Sequence, residues 1–479
     1  MTILERLALF FVLVSLITAS ATLAVAYYGP EAIVAKVSNY TAVSSSVSLA
    51  ATAFPTPAVD IEYQPAPMAP IFAEPSERFI RPFTTAKKEL LESGVEFIEV
   101  NFSTKQIHHF RPNGTVGTTS IMAVGDPQGW GGTPAGLYSV LDKNERTFSA
   151  SAEAYMPQAV HLYGKYFIHG EPYYASGEKI VSDVSGGCIR LSDTDAPAFF
   201  NKVSKGLPAL VVDLDYDDNF KYKASRTRPT LALTAKSYLV ADLDSGEILI
   251  DKDSTTVRPI ASITKLMTAT VVAEHIDLRR NILVTDTMLE RGFGETSGLL
   301  AGVNYRIVEL FYPLLTESSN DAAEVLSEFL GRGHTLTLMN EKAKHLFMNS
   351  TTYSDPSGLE DGNQSSAQDL YLLGRYLANN RRPLLDITRG RKVTSFGQVS
   401  FALASLRNKN NFQTEPGFIG GKSGFTDVAQ NTGLFMFKVK TENGEERRLG
   451  VVVLGSEALK GDVDKLRDYT SEIYNLDFD

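Results

Sequence analysis

The sequence predicts a multidomain chain: a mostly-β domain over residues 90–215, then an α/β domain over residues 234–479 whose antiparallel sheet is covered by helices. Three observations predict it. Short Phe/Ile/Val/Tyr-rich runs punctuated by Gly, Pro and Asn fill the first region, with little helical periodicity. In the second, period-2 runs stand at both ends and helical faces fill the middle. At 479 residues with 43% hydrophobic and 21% charged, the chain has ordinary globular composition and room for more than one core.

The N-terminal segment, residues 1–37, contains an uncharged stretch from Leu7 to Tyr27. Its helical length of roughly 32 Å matches a bilayer core of about 30 Å. A membrane anchor is expected there, with a cleavable signal peptide as the alternative, since Ala19-Ser20-Ala21 and Ala24-Val25-Ala26 are small-residue cleavage patterns. Either reading exports the remainder of the chain. Residues 38–89 are rich in Ser, Ala, Thr and Pro in their first part, as in Phe54-Pro55-Thr56-Pro57, and are expected to form a tether. Net charge is −10, with no basic stripe, which argues against a nucleic-acid partner.

In the first domain, Glu96 to Phe102, Ile107 to Phe110 and Thr133 to Tyr138 read as strands, and Val160–Tyr163 with Tyr166–Ile168 as a hairpin through Gly164-Lys165. Helix is expected only over 193–203. His169-Gly170 ends one strand, and Ser185-Gly186-Gly187-Cys188-Ile189-Arg190 follows fifteen positions after Gly170. Cys188 is the single cysteine, so no intramolecular disulfide exists. Two readings stand. A lone cysteine is commonly a small buried hydrophobe. Alternatively, two glycines let backbone N–H groups approach a ligand, and a thiol with a histidine suits nucleophile plus base.

Residues 216–233, with Asp217 and Asp218 before Lys221, Lys223, Arg226 and Arg228, are expected to be a solvated linker. The second domain opens with a hairpin, Tyr238–Asp242 and Glu247–Asp251, turning at Asp244-Ser245-Gly246. Pro259 then precedes a helix from Ser262 to Ala273 that is apolar almost all round and so belongs in a core. Ser262 and Lys265 are three apart and share a face in its first turn. A lysine held out of water can take a serine's proton, although a bare S-x-x-K is commonly an exposed helix start. Val308 to Leu315 and Asp321 to Gly331 read as helices, which places Ser318 and Asn320 in the loop between them. Helical faces follow from Leu336 and from Ser366. Gly433–Val439 and Leu449–Leu454 flank Asn443-Gly444 as a hairpin, and a helix bearing Val463, Leu466 and Ile473 closes the chain.

Ser262-x-x-Lys265, Ser318-x-Asn320 and Lys422-Ser423-Gly424, in that order, resemble the motifs of the active-site-serine penicillin-recognising enzymes. The surrounding text, such as Asp355-Pro356-Ser357-Gly358-Leu359, resembles the low-molecular-mass D-alanyl-D-alanine carboxypeptidases. That resemblance implies Ser262 as nucleophile and Lys265 as its base. Ser318 and Asn320 would relay protons and hold the substrate amide, and Lys422 would face the terminal carboxylate. An oxyanion hole would lie at Ser262 and Phe425, beside Ser423 and Gly424. Ser423 stands where the family usually has threonine. His169-Gly170 with Ser185 to Arg190 resembles the L,D-transpeptidase catalytic domain, which implies a β-sandwich-like fold, Cys188 as nucleophile, His169 as base and an oxyanion hole at Gly186, Gly187 and Cys188. Gly170, Ser185 and Arg190 complete that signature. Many members carry His, Lys or Arg where this chain has Gly186.

Together the resemblances imply a bifunctional, exported peptidoglycan-modifying enzyme of the cell envelope. They imply stem peptides as substrates, β-lactams as inhibitors, the N-terminal segment as its link to the membrane, and no cofactor. No metal-binding pattern is visible among the seven histidines. The alternatives are a non-catalytic wall-binding role for one domain and a β-lactamase-like hydrolase.

Overall fold

Alternating apolar residues close the first domain as two facing sheets. In the computed structural model, which describes residues 79–225, 231–393 and 405–478, one sheet has the order Val116–Ser120, Gln106–Phe110, Phe97–Asn101, Pro208–Val212, Gly136–Ser139. The second has the order Ile189–Arg190, Tyr166–His169, Ala154–Tyr163, Asp142–Ser149. Ile98, Val100, Val160, Ile168, Ile189 and Val211 are buried in one cluster that both sheets line. The expected hairpin and the expected helix, Asp195–Lys202, are present. The 142–149 strand, mostly polar and exposed, carried no apolar signal to be read.

The second domain is a five-stranded, fully antiparallel sheet in the order Ile248–Lys252, Ser237–Asp242, Glu446–Ser456, Gln430–Lys440, Phe418–Thr426. Its two faces part by residue parity. Leu434, Met436 and Val452 face the helical layer, whereas Phe435, Phe437 and Val453 pack against Val463, Leu466 and Ile473 of the closing helix Leu459–Tyr474. The helix after Pro259 starts as a 3₁₀ turn, Ala261–Ile263, and runs on as Thr264–His275, buried as its composition required. Ser366 accepts from the Asp369 N–H and caps the helix Ala367–Asn380.

Two expectations need correction. The tether does not extend to residue 89: Ile80 N–H donates to Gly246 O at 2.8 Å, and the helix Pro82–Ser93 buries Phe83 and Ala86. The earlier part of the tether, and the candidate anchor Leu7–Tyr27, lie outside the described residues. No helix among the described residues is long and apolar enough to cross a membrane. The linker is not solvated throughout either, although Asp218, Asn219, Lys221 and Lys223 are exposed. Tyr222 is buried and donates to Asp242 at 2.5 Å, and Arg447 joins Asp242 at 3.0 Å and Asp217 at 2.6 Å.

The two regions lie in a single compact unit. Trp130, Ala135, Leu210 and Val212 of the first join the main core of the second. A polar network crosses the boundary. Asp213 accepts from Arg375 at 3.2 Å and Asn380 at 2.8 Å, Lys342 donates to Tyr138 Oη at 3.0 Å, and Lys165 caps Ala273 O at 2.9 Å and Ile276 O at 3.0 Å. Arg, Lys and Glu are seldom fully buried, and here each is buried with a partner from the other region or another helix.

Two candidate active sites

The backbone is forced into place around Ser262. Ala261 takes a left-handed φ of 48°, and a Cβ at Gly358 would stand 2.0 Å from Ala261 O, so only glycine lets that loop approach. Asp355 holds the loop. Its Oδ1 accepts from Ser357 N at 2.6 Å and Gly358 N at 2.8 Å, and its Oδ2 accepts from Glu360 N at 2.7 Å. The loop thereby presents Ser357 O to Lys265.

Lys265 is fully buried and its Nζ donates to Ser262 Oγ at 2.9 Å, Asn320 Oδ1 at 2.7 Å and Ser357 O at 2.6 Å. Burial lowers its pKa well below the usual lysine value, and the Lys422 charge pushes the same way. Once neutral, the amine keeps two N–H donors for the two fixed oxygens and turns its lone pair to the serine hydroxyl. Asn320 is the first residue of the helix Asn320–Leu330, capped by Ser319, rather than a loop residue as expected. Its amide is oriented from both ends, since Nδ2 donates to Phe293 O at 2.8 Å.

Ser318 sits just before that helix with φ 64°, after the wide turn Pro313–Glu317. It is buried, and its Oγ takes no hydrogen bond among the described residues. Lys422, Ser423, Gly424 and Phe425 lie on the edge strand Phe418–Thr426. A Cβ at Gly424 would meet Ser262 N at 2.6 Å, so the strand edge runs directly beside the nucleophile's amide. Burial, with Lys409 adding to it, lowers the Lys422 pKa to about 7. The structure therefore gathers Ser262, Lys265 and Asn320 by direct contact, with Gly424 alongside. Asp355, Ser357, Gly358 and Ala261 were missed as site residues, although the Asp-Pro-Ser-Gly stretch was a legible turn signal.

In the first domain, Ile189–Arg190 pairs in parallel with Tyr166–His169, setting Arg190 opposite His169. Cys188 stands just before that pairing, and among the described residues no hydrogen bond joins its Sγ to His169. The His169 ring is buried and its Nδ1–H donates to Gly170 O at 2.5 Å, which leaves Nε2 as the lone-pair nitrogen. Burial lowers its pKa to about 4. Cys188 is half-buried and its Sγ–H donates to Lys165 O at 3.8 Å. Activation by a histidine would lower a thiol's pKa, but burial pushes Cys188 up to about 11. These shifts favour a thiol and a neutral imidazole at rest, burial of Cys188 outweighing the Phe167 backbone and the Lys165 and Arg190 charges.

Two other expected roles change. Gly187 N–H is already committed to Ser185 Oγ at 3.0 Å, and Ser185 Oγ itself donates to Cys188 O, leaving the Gly186 and Cys188 amides as oxyanion candidates. Arg190 donates to Ile180 O at 3.3 Å and Ser182 O at 2.9 Å, so it secures the preceding loop. A Cβ at Gly186 would meet nothing within 4 Å, so the absence of a side chain there has no steric cause.

Both regions match known protein families. Residues 223–458 match the family model for D-alanyl-D-alanine carboxypeptidase, and residues 96–212 match that for the L,D-transpeptidase catalytic domain. The D-alanyl-D-alanine carboxypeptidase DacB2 of Mycobacterium tuberculosis is 33% identical over 204 residues, 41% of this chain and 68% of that protein. A D-alanyl-D-alanine endopeptidase of Haemophilus influenzae is 32% identical over 234 residues, 48% of this chain and 77% of that protein. A crystal structure of D-alanyl-D-alanine carboxypeptidase from Mycobacterium tuberculosis is 28% identical, with a TM-score of 0.45 over 52% of this chain and 95% of that one.

Proposed function

Because the chain belongs to the D-alanyl-D-alanine carboxypeptidase family and carries an L,D-transpeptidase catalytic domain in the same polypeptide, we propose that it is a bifunctional peptidoglycan-modifying enzyme. Its two acyl-transfer sites act in sequence outside the cytoplasmic membrane, with segment 7–27 as the tether to that membrane. The observation that carries the reading is the fully buried Lys265 amine, 2.9 Å from Ser262 Oγ.

At the Ser262 site the substrate is a pentapeptide stem ending in D-Ala-D-Ala. Lys265 takes the hydroxyl proton as Oγ attacks the penultimate carbonyl, and the negative oxygen is met by the N–H groups of Ser262 and Phe425. The C–N bond breaks, the leaving D-alanine takes the proton through Ser318, and water then hydrolyses the ester. Lys422, charged below about pH 7, faces the terminal carboxylate. β-Lactams enter the same site and leave the acyl-enzyme in place.

At the Cys188 site the substrate is the tetrapeptide that the first reaction leaves. The thiol proton passes to His169 Nε2 as Sγ attacks the carbonyl of the third residue, and terminal D-alanine departs with that proton. The thioester is then transferred to an acceptor amine or to water. No cofactor takes part in either step.

Mass spectrometry of muropeptides tests the sequence of events. On pentapeptide-rich substrate the intact protein is expected to make L,D products and Ser262→Ala almost none, while on tetrapeptides the same variant is unimpaired. Equal L,D products from pentapeptides in both would refute the coupling. A second reading, in which the Cys188 domain is a non-catalytic wall-binding module, draws on the raised pKa of that thiol. It predicts that Cys188→Ala changes no muropeptide.

A further inference from the structure

The turn that carries Cys188 packs closely against two walls. One is Tyr166: a Cβ at Gly187 would lie 2.2 Å from its ring. The other is the segment around Gly131, whose own Cβ would lie 3.2 Å from the Gly186 backbone and whose carbonyl would lie 3.0 Å from a Cβ at Gly187. Neither wall is fixed from within its own domain alone. Arg381, which follows the helix Ala367–Asn380 of the other domain, donates from Nη1 to Gly132 O at 2.5 Å and from Nη2 to Tyr166 Oη at 3.0 Å.

Arg381 is itself held in place. It is fully buried, and Glu274 accepts from its Nε at 3.0 Å and lies 2.8 Å from its Nη2. Lys342, also fully buried, completes the cluster at 3.0 Å from the same carboxylate. Glu274 belongs to the last turn of the helix Thr264–His275, whose preceding turn holds Ser262 and whose first turn holds Lys265. A planar guanidinium with its five donors in a fixed fork suits this two-walled grip, and a lysine cannot reproduce it.

We propose that the carboxypeptidase-family domain completes the Cys188 site, with Arg381 as the positioning residue that fixes both walls of the Gly186–Gly187–Cys188 turn across the domain boundary. The inference rests on the reading of Cys188 as nucleophile. Arg381 touches no reacting atom. It acts by holding the turn whose amides would meet the negative oxygen in transfer, so it bears on acylation and leaves simple access to the sulfur alone.

The test uses the full chain and two variants, Tyr166→Phe, which removes one hydroxyl, and Arg381→Lys. Three rates are measured across pH: Cys188 acylation by a carbapenem, Cys188 alkylation by iodoacetamide, and Ser262 labelling by a fluorescent penicillin. In Tyr166→Phe, carbapenem acylation is expected to fall roughly tenfold, with alkylation changed less than about twofold and Ser262 labelling unchanged. Arg381→Lys is expected to behave likewise; if it fails to fold and loses Ser262 labelling, Tyr166→Phe alone decides. Acylation at the wild-type rate in Tyr166→Phe, with or without a lower melting temperature, overturns the positioning role. A wild-type protein whose Cys188 is not acylated, or an adduct that persists in Cys188→Ser, overturns the nucleophile reading itself.

Discussion

Lys265 Nζ donates to Asn320 Oδ1 at 2.7 Å across 55 positions of sequence. Two of the three motifs thus meet in one hydrogen bond, and the amide's other end is tied to Phe293 O. The bond fixes where the amine points, so that loss of its proton exposes the lone pair to Ser262.

Ser262→Ala is expected to abolish covalent penicillin labelling of the second domain, as read by gel fluorescence or intact mass. Lys265→Arg is expected to slow acylation by roughly 10²-fold or more, because a guanidinium stays protonated and cannot serve as base. Retained labelling in either variant removes the assignment of that residue.

The pH profile of kcat/KM on a D-Ala-D-Ala peptide reports the free enzyme's groups. Lys265 must be neutral, so the rate rises as pH passes its lowered pKa. Lys422 must be charged, so the rate falls as pH rises through about 7. Lys422→Arg keeps the charge at every pH and is expected to remove the falling limb. A limb that stays in place assigns it to another group.

For Cys188 and His169, pKa values of about 11 and about 4 predict a neutral resting pair. Alkylation by iodoacetamide should therefore keep rising with pH up to about 9, with no plateau near neutrality. His169→Ala is expected to leave that curve nearly unchanged while cutting thioester formation from tetrapeptide by roughly 10²-fold. A plateau below about pH 8 would mean that a thiolate–imidazolium pair exists at rest.

Gly358→Ala places a Cβ 2.0 Å from Ala261 O at a residue whose φ is already +86°. The expected result is a loss of about 1–3 kcal/mol in stability and a marked fall in penicillin labelling, since the displaced loop carries Ser357 O away from Lys265. Denaturant midpoints and labelling rates measured together check it. Unchanged labelling would mean that the loop does not position the lysine.

The candidate reactive residues Ser262, Lys265, Lys422, Cys188 and His169 could be picked out from the sequence because they lie in short motifs, and of these the structure joins Ser262 and Lys265 by a direct hydrogen bond. The hairpin at Asn443-Gly444 and the buried helix after Pro259 were legible too, where turn chemistry and apolar period act within a few residues. Tertiary structure decided the direction of the Cys188 pKa, which burial raises against the Phe167 backbone and the Lys165 and Arg190 charges. It also decided the fate of charges on which the sequence was silent: Glu274, Lys342, Arg375 and Arg381 form the join between the domains. A charge is buried only when partners from distant segments converge on it, and the nearer of the two cations paired with Glu274 lies 68 positions away, at Lys342. No local pattern encodes that convergence; the physical reason is that desolvating an ion is compensated by three-dimensional pairing alone.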